Sequence, residues 1–119
     1  EAKIPCEIFY LDTGRLHDET YSLIAKAESF YQKRFTPYFP DAQEVETFVK
    51  NIGINGFLNS VENRKECCFI RKVAPLTKAL KGNEIWITGL RAEQSENRND
   101  LTAFEYDAHF NIIKFNPFI

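Results

Sequence analysis

The stretch Glu7-Ile8-Phe9-Tyr10-Leu11-Asp12-Thr13-Gly14-Arg15 decides the fold class, because it changes from apolar to turn-forming residues within a few positions. The part up to Leu11 is short, aromatic and β-branched, which predicts a buried strand. Asp12-Thr13-Gly14 predicts a loop at the end of that strand. From about residue 18 to residue 33 apolar side chains recur at helical spacing, so a strand followed by a helix is expected.

The rest of the chain continues this alternation. Residues 35–39 predict a short second strand, which Pro37 and Pro40 confine to a sheet edge or a strand end. Asp41 and Glu44 have capping-box spacing and begin a helix that Gly53 ends. Further helices are predicted over residues 57–72 and 75–82, and further strands over residues 84–88, 103–106 and 112–115. Such alternation indicates an α/β fold with mostly parallel strands.

Composition and charge set limits on the class of protein. The 119 residues are 44% hydrophobic and 27% charged, which is typical of one soluble globular domain. A net charge of −2 argues against a general nucleic-acid binder, which usually carries a basic excess. No apolar run approaches the roughly 18 residues of a membrane span, and no signal-peptide pattern is present, so a cytoplasmic protein without a membrane partner is expected. The phenylalanines and Trp86 are expected in the core.

Two strands end in loops that are candidate walls of a binding site, because ligands bind outside the carboxyl ends of parallel strands. The first loop runs from Asp12 to Arg15 and the second over residues 89–98. In the second, Arg91 and Arg98 are suited to fork onto sulfate or phosphate oxygens. The alternatives are a solvated charged loop for the second and a simple turn for the first.

The cysteines are the strongest chemical signal. Cys67 and Cys68 are adjacent and lie among Arg64, Lys65, Arg71 and Lys72, where positive charge favours thiolates. Packing as small apolar groups is the alternative. Adjacency fits poorly with one zinc ion, whose paired ligands are usually spaced by about two to four residues. Neighbouring thiolates can bind different irons of a cluster, but a cluster needs four ligands, and Cys6 is the only other cysteine. His17 and His109 have no metal-like spacing.

A series of motifs along almost the whole chain resembles the family of adenylyl-sulfate and phosphoadenylyl-sulfate reductases. The motifs are Leu11-Asp12-Thr13-Gly14-Arg15-Leu16, Tyr38-Phe39-Pro40-Asp41, Arg64-Lys65-Glu66-Cys67-Cys68 with Arg71-Lys72-Val73 and Pro75-Leu76, Trp86-Ile87-Thr88-Gly89-Leu90-Arg91 with Glu93-Gln94-Ser95, and Ile113-Lys114-Phe115-Asn116-Pro117. The adjacent cysteines are similar to the adenylyl-sulfate branch. The resemblance implies a three-layer α/β domain with a mostly parallel sheet, of the adenine nucleotide alpha-hydrolase-like (Rossmann-like) type.

The resemblance also implies roles for individual residues. Cys67 and Cys68 would be two ligands of a [4Fe-4S] cluster that a later Cys-x-x-Cys completes. Lys72 would lie between this cluster and the sulfate of the substrate. Arg91 and Arg98 resemble the anion-binding arginines of the family. A wall of the nucleotide pocket is implied for Asp12, Thr13 and Gly14.

In this family a cysteine thiolate of a C-terminal tail attacks the sulfur of adenylyl sulfate, which gives a thiosulfonate and AMP, and thioredoxin then releases sulfite. The phosphate loop, the second cysteine pair and the Glu-Cys-Gly tail of the family do not occur in residues 1–119, and Ala92 stands where the family often has a second arginine. We therefore expect a single partial domain that has no catalytic residue of its own and is inactive alone.

Other functions stay open at the level of sequence. A phosphoadenylyl-sulfate reductase or a related nucleotide enzyme is the nearest alternative. A non-catalytic redox or metal-binding module built on Cys67 and Cys68 belongs to a different class. The sequence also leaves open a homo-oligomer.

Overall fold

A computed structural model describes residues 5–91 and 102–119 of the protein. Contacts divide the chain into two compact units, which we call unit 1 (Glu1–Ala79) and unit 2 (Leu80–Ile119). Each unit contains a small sheet with a parallel pair of strands. The predicted α/β class with mostly parallel strands is therefore confirmed. Within the described ranges no helix is long and apolar enough to cross a membrane.

The sheet of unit 1 pairs β1 (Phe9–Leu11) in parallel with β2 (Thr36–Tyr38). Helix α1 (Asp18–Tyr31) connects the two strands and ends slightly earlier than predicted, because Gln32 takes a left-handed conformation with a φ of 52°. The loop between β1 and α1 therefore leaves the carboxyl end of a parallel strand, which is where α/β folds bind ligands.

Helix α2 (Ala42–Ile52) follows the prediction closely. The Asp41 side chain accepts a hydrogen bond from the Glu44 amide at 3.0 Å, which satisfies one of the amides that the first turn of a helix leaves without a partner. Gly53 ends the helix with a φ of 87°. Phe48 is buried on the apolar face.

The prediction of one helix over residues 57–72 is wrong at both ends. A short 3-10 turn (Gly56–Leu58) comes first, and α3 (Val61–Cys68) begins only after Ser60, whose hydroxyl accepts the Asn63 amide at 3.0 Å. Beyond Cys68 the chain passes directly into a π-helical turn (Phe69–Val73) and then into α4 (Ala74–Leu80). The cysteine pair thus lies inside a long helical segment.

Unit 2 contains a three-stranded sheet in the order β3 (Ile85–Ile87), β5 (Ile112–Phe115), β4 (Phe104–Asp107). β3 and β5 are parallel, whereas β4 and β5 form an antiparallel hairpin. Asn111, with a φ of 53°, makes the turn of this hairpin. All three strands were predicted.

The expectation that the phenylalanines fill the core is wrong for several of them. Phe30 is 80% exposed, and Phe104 is 65% exposed. Each covers part of its surface with a neighbouring ring: Phe30 packs edge-on against Tyr31, and Phe104 stacks on Phe115. Aromatic pairs of this kind contribute to stability even where the rings are not buried in a core. The buried apolar side chains in the described part of the chain are Phe48, Ile70, Pro75, Ala79, Leu80 and Ile112.

Candidate functional site

The loop that leaves β1 is closed by its own side chains. Asp12 Oδ1 accepts hydrogen bonds from the Gly14 amide at 2.9 Å and from the Tyr21 hydroxyl at 2.8 Å. Thr13 Oγ1 accepts one from the Arg15 amide at 3.1 Å. Short polar side chains form such turns because they reach the backbone two residues on. Asp12 and Thr13 are buried, so the loop backbone is held from within.

The hydrogen bond to Asp12 also changes the pKa of the Tyr21 hydroxyl. Asp12 raises the pKa of Tyr21 above its ordinary value of 10.0, chiefly by accepting its hydrogen bond, and burial and the carboxylate charge act in the same direction. All three causes favour the neutral phenol. Tyr21 therefore remains a donor to Asp12 throughout the neutral range.

Arg15 ties this loop to the 3-10 turn of the same unit. Its guanidinium donates to the Ile54 carbonyl and to Asn55 Oδ1, both at 3.0 Å, and lies 4.9 Å from the centroid of the Phe57 ring. A planar guanidinium suits this combination of forked donors and ring stacking. Arg15 therefore stabilises the β1 loop against the segment around Phe57, and both line a cavity of unit 1.

The adjacent thiols open onto a cavity of about 270 Å³ in unit 1. Cys67 is half-buried, Cys68 is exposed, and both are free thiols. They lie at the end of α3, and the π-helical turn that follows carries Arg71 and Lys72. The cavity is lined by Thr13, Arg15, Phe57, Arg64, Cys67, Cys68, Arg71 and Lys72.

The lining of this cavity is strongly one-sided in charge, because it contains four cationic side chains and no carboxylate. Arg64 and Lys72 are exposed, and the side chain of neither forms an ion pair or hydrogen bond within residues 5–91 and 102–119. A concave surface lined by one sign of charge attracts ligands of the opposite sign. The cavity is thus suited to an anion that lies next to the thiols.

Arg71 connects the helical segment to the β1 loop. Its Nη1 donates to the Thr13 carbonyl at 2.6 Å. The approach depends on Gly14, since a Cβ on that residue would lie 3.1 Å from the same Nη1. Gly14 also has a φ of 81°, a conformation that other L-residues rarely adopt.

The two adjacent thiols are part of the donor set that an iron–sulfur cluster needs. Cys67 and Cys68 offer two thiols that open onto one cavity, as a multi-iron cluster allows. Within the described ranges, however, no group of three or more His, Cys, Asp or Glu residues comes together, and Cys6 does not line the cavity. The chemistry of the pair fits half of a cluster site.

The exit from β3 is held by a buried side-chain amide. Thr88 Oγ1 donates to Asn116 Oδ1 at 2.6 Å, and Asn116 Nδ2 donates to the Thr102 carbonyl and to Glu105 Oε2 at 2.9 and 3.0 Å. Asn116 is fully buried. Arg91, an exposed residue, lies directly after this exit. Arg98 lies outside the described residues.

The structure thus brings part of the predicted site together. Thr13, Cys67, Cys68 and Lys72 line one cavity, and Asp12 and Gly14 shape the loop that contributes Thr13. Arg91 belongs to the other unit. Sequence reasoning placed Arg15 in the first loop and Arg64 and Arg71 beside the thiols, but it assigned none of the three a role in binding. The sequence does contain one signal for these three arginines. They lie inside the β1-loop motif and the cysteine motif, which also contain the predicted site residues.

Known proteins are similar to this chain over most of its length. The profile of the phosphoadenosine phosphosulfate reductase domain matches residues 1–119. An adenosine 5'-phosphosulfate reductase of Rhizobium tropici is 47% identical over 90% of this chain and 59% of its own length. One of Allochromatium vinosum is 45% identical over 97% of the chain and 45% of its own length. The chain therefore spans about half the length of the curated relatives it matches.

A solved structure supports the same assignment. The phosphoadenylyl-sulfate (PAPS) reductase of Candida auris, crystallised as a phosphate complex, superimposes with a TM-score of 0.73 at 30% identity over 96% of this chain and 54% of its own. The fold is thus the α/β type of the adenine nucleotide alpha-hydrolase-like enzymes. Within that class, the chain belongs to the phosphoadenosine phosphosulfate reductase domain family.

Proposed function

We propose that the protein containing this chain reduces adenylyl sulfate to sulfite and AMP, with thioredoxin as the electron donor. The observation that carries the proposal is the cavity of unit 1, where Cys67 and Cys68 lie among cations and beside the β1 loop. Both curated relatives described above carry the name of this activity. The activity is proposed for the whole protein, and residues 1–119 form a partial domain that is inactive alone.

In this proposal one set of residues contacts the nucleotide part of the substrate, and a second set binds its sulfate group. Asp12, Thr13 and Gly14 form a wall of the nucleotide pocket, for which the closed turn and the buried side chains give a rigid surface. The sulfate group is bound by cations, namely Lys72, Arg91 and Arg98. Such cations offset the charge that would otherwise repel an attacking thiolate.

The nucleophile is a cysteine outside this chain. Its thiolate forms a bond to the sulfur of adenylyl sulfate while the bond from that sulfur to the phosphate oxygen breaks, and AMP leaves with the electron pair. The thioredoxin dithiol then supplies two electrons, is oxidised to a disulfide and releases sulfite. Cys67 and Cys68 have a different role.

We propose that Cys67 and Cys68 supply two of the four thiolates of a [4Fe-4S] cluster, and that a later Cys-x-x-Cys supplies the others. When bound, the cluster would add an electrostatic centre beside the substrate sulfate. Lys72 lines the same cavity as the thiols and is exposed, which supports its place between cluster and sulfate. A cytoplasmic location and a homo-oligomer stay predictions of the sequence.

The test uses the gene-encoded protein that contains these residues, purified without oxygen. With thioredoxin, we expect sulfite from adenylyl sulfate and a lower rate from phosphoadenylyl sulfate. Cys67→Ser should remove most of the bound iron, whereas Cys6→Ser should keep it, because Cys6 does not line the cavity. Lys72→Gln should lower kcat/KM by roughly a hundredfold, as the loss of an electrostatic contact to the transition state does.

Each other result points to a different function. Preference for phosphoadenylyl sulfate would move the protein to the activity named for the Candida auris structure. Iron binding without sulfonucleotide turnover would indicate a non-catalytic thiol module. A gene-encoded sequence that contains neither a later Cys-x-x-Cys nor a C-terminal Glu-Cys-Gly would contradict the reductase assignment, and robust turnover by residues 1–119 alone would contradict the proposed tail nucleophile.

A further inference from the structure

The π-helical turn after the cysteine pair has a cause in the sequence. Pro75 has no amide hydrogen, and in a regular α-helix its ring would collide with the carbonyl four residues earlier, that of Arg71. The chain instead widens over Phe69–Val73, where the Ala74 amide bonds to the Phe69 carbonyl. Such wide turns relieve a helix interrupted in this way and are frequent at functional sites.

Two neighbouring cations of this turn have different surroundings. Lys72 is exposed and lines the cavity. Arg71 is half-buried and donates to the Thr13 carbonyl at 2.6 Å, which is short even for a bond from a charged donor. Because the bond goes to the backbone of the β1 loop, Arg71 links that loop to the turn that contains Lys72.

We infer that Arg71 is a positioning residue for the nucleotide. Its guanidinium holds the Thr13 carbonyl and so fixes the β1 loop against the cysteine-bearing helix. Gly14 completes the arrangement, since its missing side chain leaves room for the guanidinium. The role in nucleotide binding rests on the proposed function, whereas the role in ordering the loop does not.

Hydrogen exchange tests the ordering role without any ligand. In Arg71→Ala, we expect the Gly14 and Arg15 amides of the gene-encoded protein to exchange about tenfold faster, as the loss of a charge-assisted hydrogen bond allows. Exchange in α2 should stay unchanged, as should exchange everywhere in Lys78→Gln, an exposed position of α4 outside the cavity. Unchanged exchange in the loop would overturn the inference. So would equally faster exchange in α2, because Arg71 would then stabilise the whole fold rather than the loop.

Calorimetry with AMP and adenylyl sulfate tests the consequence for binding. Arg71→Ala should weaken both ligands by the same factor, about tenfold, with partial recovery in Arg71→Lys. Lys72→Gln should weaken adenylyl sulfate alone. A loss restricted to adenylyl sulfate in Arg71→Ala would show a direct contact to sulfate and overturn the positioning role. If the wild-type protein binds neither nucleotide, the proposed function fails, and the exchange experiment still decides the role of Arg71.

Discussion

The two strand exits have nearly the same sequence, Thr13-Gly14-Arg15 after β1 and Thr88-Gly89-Leu90-Arg91 after β3, yet they are held in different ways. The first is fixed through its backbone, by turns that Asp12 and Thr13 close and by a bond from Arg71 on a distant helical segment. The second is fixed through a side chain, because Thr88 bonds to the buried amide of Asn116.

This difference separates binding from stability. At the first exit the contacts shape a loop that faces a cation-lined cavity, so their loss should disturb ligand binding more than folding. At the second exit they satisfy buried polar groups just beyond the ends of β3 and β5, so their loss should leave those groups unpaired and destabilise the unit. Similar motifs can therefore place similar residues under different constraints.

The largest expected effect is at the second exit. Asn116→Ala removes partners from Thr88, Thr102 and Glu105 at a fully buried position. We expect the free energy of unfolding in urea to fall by about 3 kcal/mol, as unsatisfied buried polar groups cost. Asn59→Ala is the matched control, because Asn59 is exposed and should change it by less than about 0.5 kcal/mol. Equal losses in the two variants would contradict the stabilising role of Asn116 at the second exit.

A smaller effect separates the two glycines. Gly14→Ala forces a φ of 81° on alanine and brings its Cβ within 3.1 Å of Arg71 Nη1, so we expect a loss of about 1–2 kcal/mol in urea unfolding and weaker AMP binding. Gly89 does not have a positive φ, and no described atom lies within 4 Å of a Cβ built on it. Gly89→Ala should be neutral or stabilising by up to about 1 kcal/mol. If Gly89→Ala lost more stability than Gly14→Ala, the special backbone requirement at Gly14 would be contradicted.

The sequence predicted the helix α2 and each strand found in the described residues, because their signals are local. Asp41, Glu44 and Gly53 act within one helix and report its limits directly. The boundary at Ser60 was missed because its cap lies inside a continuous helical pattern. The π-helical turn was missed for another reason, since Pro75 at the start of a new helix has the same sequence signal as Pro75 after a widened turn.

For the site, the family resemblance predicted the roles of the two thiols, Lys72 and the β1 loop. The structure shows which other side chains surround them. Arg71 bonds to Thr13, 58 positions away along the chain. No local sequence pattern indicates a contact over such a separation, so only the folded structure reveals the role of Arg71. The same holds for Arg15, whose guanidinium donates to Ile54 and Asn55, about 40 positions away along the chain.

The smallest expected effect is a difference between the two exits in how their stability depends on pH. The Thr88–Asn116 bond involves no titratable group, whereas at the first exit Asp12 raises the pKa of Tyr21 above 10.0 through the hydrogen bond from its hydroxyl. A raised pKa in the folded state means that this stabilisation is complete below the unfolded value and is lost as the pH rises through the folded value. It should therefore be constant at neutral pH and disappear only in alkali.

The measurement is an alkaline titration of the Tyr21 Cζ resonance by NMR. Asp12→Asn should lower the midpoint towards 10.0, because the neutral amide removes the carboxylate that favours the protonated phenol. Asp18→Asn is the control, since Asp18 is exposed and is not among the groups that raise the pKa of Tyr21. If the Asp12→Asn midpoint matched the wild-type value, the bond from the Tyr21 hydroxyl to Asp12 would not form in solution, and the first exit would be held by the turns of Asp12 and Thr13 and by Arg71.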